Sequence, residues 1–536
     1  MAAARKRRAR GGRATAPAAP PRPASPPSPL RRLAIPISLG LALALISATD
    51  RVSDQLVLTR SVWAAAGALL AWCLVLALQA RRDGRTLSLH VVLRPQHYVQ
   101  AMLHISVLTY WGYHWRPVYD HAWLLVAQLL FAYAFDMLLA WSRRESYGLG
   151  FGPFPIIFST NLFLWFRDDW FYLQFLMLAA GFMGKAFVRW ERDGRRTHIF
   201  NPSAFSLGLF SVVLIATGTT SLTWGQEIAS TLTLAPRIYL FLFAIGLVAM
   251  YAFSITLVAG TAAIVLFGAS ALYSAVTGVP YFIDSEIPSA VFLGLHLLVT
   301  DPSTSPRTPV GKAVFGLGYG LGVFLLYAVL GFLGVPTFYD KLLGVPLLNL
   351  SVRWIDRMVA RLREGERLPL VDAPLAPAQT NLAFMTGWIL FFGAMTLAGA
   401  TDGRHRGDTL PFWEMTCGEG RAQACERLLQ IQTNYCGDNA GWACNELGRY
   451  YAEGVVVTPD PDRARAAFAQ ACELRFQAGC LNLLRPDDWL SSDPRPIDYR
   501  LLLREAGPNL VDMPEPALLT RACAHGWRSA CGDSTP

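Results

Sequence analysis

A succession of apolar runs between residues 33 and 399 constrains this chain more than any other feature. They lie near 33–49, 61–80, 101–115, 121–141, 154–166, 171–190, 202–218, 237–252, 253–277, 288–300, 311–334, 342–360 and 380–399. A bilayer core takes about 20 apolar residues per helix. No water reaches that core, so backbone groups are satisfied only in helices or closed barrels. With 53% hydrophobic and 16% charged residues, the chain reads as an all-α, polytopic helical membrane protein of about 13 segments. The run 237–277 must fold once, near Tyr251–Ser254. Pro288–Thr300 reaches only about 20 Å as a helix, which marks a half-helix or re-entrant element, a usual place for a ligand or ion site.

Charge sets the expected orientation. Residues 1–32 hold nine Lys/Arg and no acid, while the remaining 38 basic and 38 acidic residues cancel. The tail is low in complexity and is expected to be disordered. It reads as a cytoplasmic anchor under the positive-inside rule rather than as a nucleic-acid-binding arm. Counting onward, loops 81–100, 142–153, 191–198, 301–312 and 353–378 fall inside and carry most loop arginines. Everything after residue 400 then falls outside. The expected organisation is a basic tail (1–32), two extra membrane helices (33–94), a membrane core (95–360), a cytoplasmic linker (361–378), a last membrane helix (379–403) and a helical domain (404–536).

Two polar motifs interrupt the apolar core about 100 residues apart: Phe200-Asn201-Pro202-Ser203 and Thr300-Asp301-Pro302-Ser303. Pro202 suits a first helical turn and Asn201 the cap before it. Such a helix start, aimed into the protein, also accepts a phosphate or the polar edge of a cofactor. Asp301 is placed to cap neighbouring N–H groups, pair with Lys312 or join an ion path. Lysine usage adds a second signal. The chain has 43 arginines and four lysines, and Lys185, Lys312 and Lys341 all lie near such motifs. A compact ammonium there suggests one polar centre shared with Asp301 and Asp340, or an anionic ligand.

Other ionisable residues in the spans are Asp136, His104, His114 and His296, and an intramembrane charge is a functional candidate. Asp136, His296 and Asp301 are the expected ion path. A hydrogen bond to a neighbouring helix is the plainer role for each histidine. No metal set, catalytic triad or phosphate loop is visible. Gly316-Leu317-Gly318-Tyr319-Gly320 reads as close helix packing.

Eight of nine cysteines follow residue 400 in four C-x7-C pairs: Cys417 with Cys425, Cys436 with Cys444, Cys472 with Cys480, and Cys523 with Cys531. Metal sites favour tighter spacing, so pairs outside a membrane are expected to be disulfides. Cys73, inside a span, is expected to pack in the core.

The stretch Ala443-Cys444-Asn445-Glu446-Leu447-Gly448, with Tyr451, Gly454, Ala466-Ala467-Phe468 and Ala471-Cys472, resembles a cysteine-rich Sel-one-like, tetratricopeptide-related repeat. The resemblance implies an α-solenoid fragment in which each pair ties neighbouring helices, and a protein partner for the repeats.

Residues 198–205, with Leu298-Val299-Thr300-Asp301-Pro302-Ser303-Thr304-Ser305-Pro306 and the looser Tyr339-Asp340 … Asn349 … Asp356, carry a second resemblance. They are similar to signatures of the NqrB/RnfD family, membrane subunits of the sodium-pumping NADH:quinone reductase and of the Rnf electron-transport complex. The likeness covers roughly 95–360. It implies a membrane electron-transport subunit in a ten-helix fold, linked to ion movement and to other membrane subunits. The cofactor it implies is flavin, FMN or riboflavin. Lys185, Phe200, Asn201, Pro202, Ser203, Thr300, Asp301, Pro302, Lys312, Asp340, Lys341 and Asn349 become its expected surroundings.

One departure matters. The family's energy-coupling members bear FMN on the threonine of an S-G-A-T motif, whereas here the stretch reads Thr217-Gly218-Thr219-Thr220. Non-covalent flavin is therefore expected in preference to a covalent link at Thr217 or Thr220. The competing reading is a non-redox transporter, channel or scaffold on the same fold, which recruits partners through its repeats.

Overall fold

The computed structural model describes residues 29–363, 377–401, 405–408, 410–437, 440–454, 456–474 and 476–484, positions 193 and 284 excepted. Most of the basic tail and the middle of the linker lie outside the described residues. So do Cys523 and Cys531, the fourth of the expected disulfide pairs.

The described chain is helical, with only four short strands. Helices α1 (Pro29–Leu45) and α2 (Leu56–Arg82) pack together and against α4 (Ala122–Ser142). From α3 (Pro95–His114) onward the core falls into two groups of five helices with the same rhythm. The first is α3, α4, α5 (Pro153–Asn161), α6 (Tyr172–Phe187) and α7 (Pro202–Thr217). The second is α8 (Ile238–Phe253), α9 (Thr256–Thr277), α10 (Ser289–Leu297), α11 (Pro309–Phe332) and α12 (Asp340–Arg363). The third member of each group, α5 and α10, has only nine residues. A peripheral helix, α13 (Pro377–Leu397), leans on α8 and α9.

Each apolar run read from the sequence coincides with one of α1–α13. Among the described residues six helices (α1, α2, α4, α9, α11 and α13) are long and apolar enough to cross a membrane, and α8 makes up to a seventh span with the preceding segment, from which it is bent by 100°. The fold expected near Tyr251–Ser254 is a turn at Ser254, whose φ of +52° closes α8. The short segment near 288–300 is a half-helix, as its length implied. The run 154–166 differs from a continuous segment. It too breaks after nine residues, and the chain runs on irregularly to Phe166. Phe166 then forms a bridge with Thr223.

Small residues set the closest helix contact. A Cβ at Gly316 would lie 2.3 Å from the Val258 carbonyl oxygen, and one at Gly320 would lie 2.8 Å from that of Ala262. The glycine-rich stretch of α11 is thus the face that lets α9 approach, the role small residues play between apolar helices. At one end of the bundle, β1 (Leu89–Val91) pairs in parallel with β2 (Tyr147–Leu149). Beside them, β3 (Arg189–Arg192) and β4 (Arg195–His198) form an antiparallel hairpin.

At the opposite end sits a cap of five helices: α14 (Leu410–Gly418), α15 (Ala422–Gly437), α16 (Gly441–Glu453), α17 (Pro461–Glu473) and α18 (Gln477–Leu484). Disulfides Cys417–Cys425, Cys436–Cys444 and Cys472–Cys480 join successive helices, with Cα atoms 4.5–4.7 Å apart. Cys73 is buried in α2 with its thiol free. The cap docks on the segment before α10. Arg421 donates to the Thr277 carbonyl at 3.2 Å, and Arg427 donates to that of Tyr281 at 2.9 Å. Arg427 also lies 4.7 Å from the centre of the Tyr327 ring.

Candidate functional site

The first two motifs meet Asn349 and Asp356 of the looser third at the end of the bundle that carries the β3–β4 hairpin. Asn201 caps α7 by accepting from the amides of Ser203 and Ala204, at 3.1 and 3.4 Å. Its own Nδ2 donates to the Leu298 carbonyl at 3.1 Å, at the break of α10. Its backbone amide donates to Asn349 Oδ1 at 3.1 Å, and Asn349 Nδ2 donates to the Thr304 carbonyl at 3.2 Å. Two asparagines thus lock α7 and α12 onto the loop that follows α10. Ser203 adds a bond to Ser159 of α5 at 3.2 Å.

The Thr300–Pro302 stretch is organised in the same way. Thr300 donates to the His296 carbonyl at 2.6 Å. Asp301 caps its own turn, accepting from the Ser303 amide and hydroxyl at 2.9 and 2.6 Å. His198 of β4 reaches Ser303 Oγ at 3.0 Å and stands 3.9 Å from Asp301. Burial works against an ionised Asp301, but His198 and Ser303 outweigh it and hold the carboxyl below the usual carboxylate range. Arg192 seals the edge through the Ser305 carbonyl at 3.2 Å and Asp356 at 2.7 Å.

The lysines do not share one centre. Lys312 donates to the Ser254 carbonyl at 2.6 Å rather than pairing with Asp301. Lys341 is buried beside Asp340 at 3.0 Å and donates to the Phe338 carbonyl at 2.7 Å, at the opposite end of α12 from Asp356. Lys185, near the end of α6, stands 5.9 Å from the Phe182 ring centre and acts electrostatically on His97, as Asp301 does. Lys185 and Asp301 therefore share one neighbourhood, and the Asp340–Lys341 pair has another.

Thr217 ends α7, with Gly218 closing the helix at φ +66°. Its hydroxyl donates to the Val213 carbonyl at 2.8 Å, and Thr220 begins a short 3₁₀ turn. Asp136 lies on α4 within electrostatic reach of Tyr133 and Tyr147. His104 and His296 are buried, each with Nδ1 on the carbonyl four residues back, at 2.6 and 2.7 Å.

Sequence reading missed a second polar centre, at the break of α5. Asn161 Nδ2 donates to Gln128 Oε1 at 2.7 Å and to the Ile157 carbonyl at 2.8 Å. Gln174 Nε2 donates to the same Gln128 oxygen at 3.1 Å, while Gln174 Oε1 accepts the Phe166 amide at 3.1 Å. His121 Nε2 lies 3.1 Å from Asn161 Oδ1, and its ring stacks on Trp165 with centres 4.3 Å apart. The signal was present: three carboxamides inside apolar runs, each costly unless bonded.

Chemically, the motif end is a self-satisfied knot. Asn201, Asn349 and Asp301 each bond protein groups here, which holds the motif residues in place. Among the described residues no three His, Cys, Asp or Glu side chains gather as a metal set.

These features define a helical membrane protein with two broken core helices and a disulfide-bonded helical cap. No family model, curated protein or solved structure matches the chain.

Proposed function

We propose that the protein is an integral membrane subunit of an electron-transport system, resembling the quinone-reductase and Rnf subunits and linked to ion translocation. The observation that carries this reading is the meeting of the first two motifs with Asn349 of the third at the break of α10, although 97 residues separate Asn201 from Leu298 and 148 separate it from Asn349. A half-helix closed by such a knot is the architecture transporters use around a central site.

Thirteen membrane segments, α1 to α13, with α5 and α10 as half-helices continued by irregular chain and the basic tail in the cytoplasm, agree with the grouping of contacts. His198, Arg192, Asn349 and Lys312 act at the motif end, while Arg421 and Arg427 act at the cap end. The cap is then extracytoplasmic, where disulfides persist, and its repeats engage a protein partner. The membrane is the cell's inner, plasma membrane. A flavin, if carried, is non-covalent.

A specific observation also favours the transporter or scaffold reading. Asn201 and Asn349 bond across helices and hold them in position, which a non-redox member of the same fold requires as well. The visible spectrum of the detergent-purified protein separates the two, read again on acid supernatant and pellet. Flavin absorbance in the supernatant is expected. A folded, disulfide-intact protein without flavin in either fraction overturns the redox reading, and flavin retained in the pellet overturns non-covalent binding.

A further inference from the structure

The last turns of α12 carry a charged face that the proposed function does not use. Val352, Ile355 and Val359 are buried and fix the side of the helix that meets the bundle. On the other side Arg353, Arg357 and Arg361 are exposed and follow one another at four-residue intervals. Residues so spaced stack along one face of a helix, so the three form a ladder about 12 Å long. Arg357 Nε donates back to the Arg353 carbonyl at 3.2 Å. The Arg353 guanidinium lies 5.6 Å from the centre of the Trp190 ring in β3, within cation–π range.

Like charges four residues apart on a helix repel, and the fold does not relieve this ladder. Asp356, the carboxylate on the same turns, is taken by Arg192 at 2.7 Å and by the Arg307 amide at 3.4 Å. Glu191 of β3 stands opposite Arg196 in the hairpin. Among the described residues Arg353, Arg357 and Arg361 have no carboxylate partner. The negative end of a helix dipole favours cations only within the last turn. That accounts for Arg361 but not for Arg353, ten residues before the end of α12. The ladder lacks an anion.

The neighbouring residues say which anion. One and two turns back, the same face continues as Trp354, Leu350 and Leu347, which are 59%, 55% and 61% exposed. An apolar strip that runs into arginines at one end has the polarity of a phospholipid. Guanidinium pairs with phosphate through two parallel hydrogen bonds, and an indole settles at the headgroup level. A zwitterionic lipid brings an ammonium of its own to the ladder, whereas an anionic lipid does not. An acidic protein segment would meet the arginines but leave the leucines and Trp354 without a use. We propose that Arg353, Arg357 and Arg361, with Trp354, bind the headgroup of an anionic phospholipid whose acyl chain lies along Leu350 and Leu347. The site needs only that α12 reaches the bilayer surface, so it stands apart from the redox reading.

The test is native mass spectrometry of the full chain in detergent micelles, titrated with phosphatidylglycerol or with phosphatidylcholine of the same acyl chains. Each arginine at a membrane surface contributes about fivefold in affinity for an anionic lipid. Phosphatidylglycerol is therefore expected to bind about a hundredfold more tightly than phosphatidylcholine. The preference should vanish in the triple variant Arg353→Gln, Arg357→Gln, Arg361→Gln. It should survive Arg81→Gln with Arg82→Gln, which neutralises two exposed arginines at the end of α2. Equal binding of the two lipids, or a preference that outlasts the triple variant, overturns the proposal. An equal loss per charge in the α2 variant overturns it in favour of diffuse surface charge. Binding of a polyglutamate peptide to the ladder, with no preference between the lipids, overturns it in favour of an acidic protein segment. If the triple variant fails to fold, Arg357→Gln alone decides: about a fivefold loss is expected, and no loss refutes the site.

Discussion

The two broken helices solve the same problem differently. At the end of α5 the polar groups are spent: Asn161, Gln128 and Gln174 bond one another and the freed backbone. At α10 the freed backbone is clamped from outside by Asn201, yet the helix keeps polar side chains with nothing to bond. Ser289 Oγ and His296 Nε2 are buried without partners among the described residues. A saturated break is a hinge fixed in place, whereas an unsaturated one has binding capacity left. Buried polar groups persist unsatisfied mostly where something else needs them.

The largest expected effect tests the saturated side. Gln128→Leu removes the bonds that Asn161, Gln174 and His121 make to it and should destabilise the core by about 3 kcal/mol, read from the denaturation midpoint in mixed detergent. If stability is unchanged, the network is not what holds α5 broken. Next, Asn201→Ala removes a helix cap and the clamp on Leu298 at once. A loss of about 2 kcal/mol is expected, with increased hydrogen exchange at residues 298–304. A loss confined to α7 would mean that α10 does not depend on the knot.

The same contrast recurs outside the membrane helices. Glu286 is spent on His405 and Ser270, and these contacts hold it below the usual range. Glu414 of α14 is pushed up to about 7, first by burial and then by Glu446, with Arg449 opposing. A carboxyl raised on folding binds its proton more tightly in the native state. The cap should therefore gain stability as pH falls through 7 toward the unfolded value near 4.5, and lose it as pH rises. A change of about 1–2 kcal/mol between about pH 8 and pH 5.5 is expected from hydrogen exchange of α14–α16, corrected for intrinsic rates, and Glu414→Gln should abolish it. The smallest effect has the opposite sign. Ser289→Ala deletes an unsatisfied buried hydroxyl and should stabilise the protein by about 1 kcal/mol. A destabilised variant would mean that Ser289 has a partner, such as a bound water.

Much of this architecture was legible in the chain. Apolar runs gave the helices, and Asn201-Pro202 gave a capped helix start. The C-x7-C spacing gave three disulfides, while the fourth pair, Cys523 and Cys531, lies outside the described residues. The length of 288–300 gave the half-helix at α10. The break in α5 was not legible, because its residues are as apolar as those of a continuous span and only Asn161 hints at it. The shared lysine centre expected from Lys185, Lys312 and Lys341 does not form, because nearness of each to a motif in sequence says nothing about which end of a helix it reaches. Lys341 and Asp356 sit at opposite ends of the same α12.

What the chain settles unaided is local: hydropathy, capping and the pairing of cysteines eight residues apart. Each depends on neighbours within a turn or two. Packing alone brings Asn201, Leu298, Thr304 and Asn349 into one knot, and sets the tilted rings of His296 and Trp388 5.8 Å apart. Those meetings join residues far apart in the chain, and their hydrogen bonds exist only once packed helices have excluded water and fixed both partners.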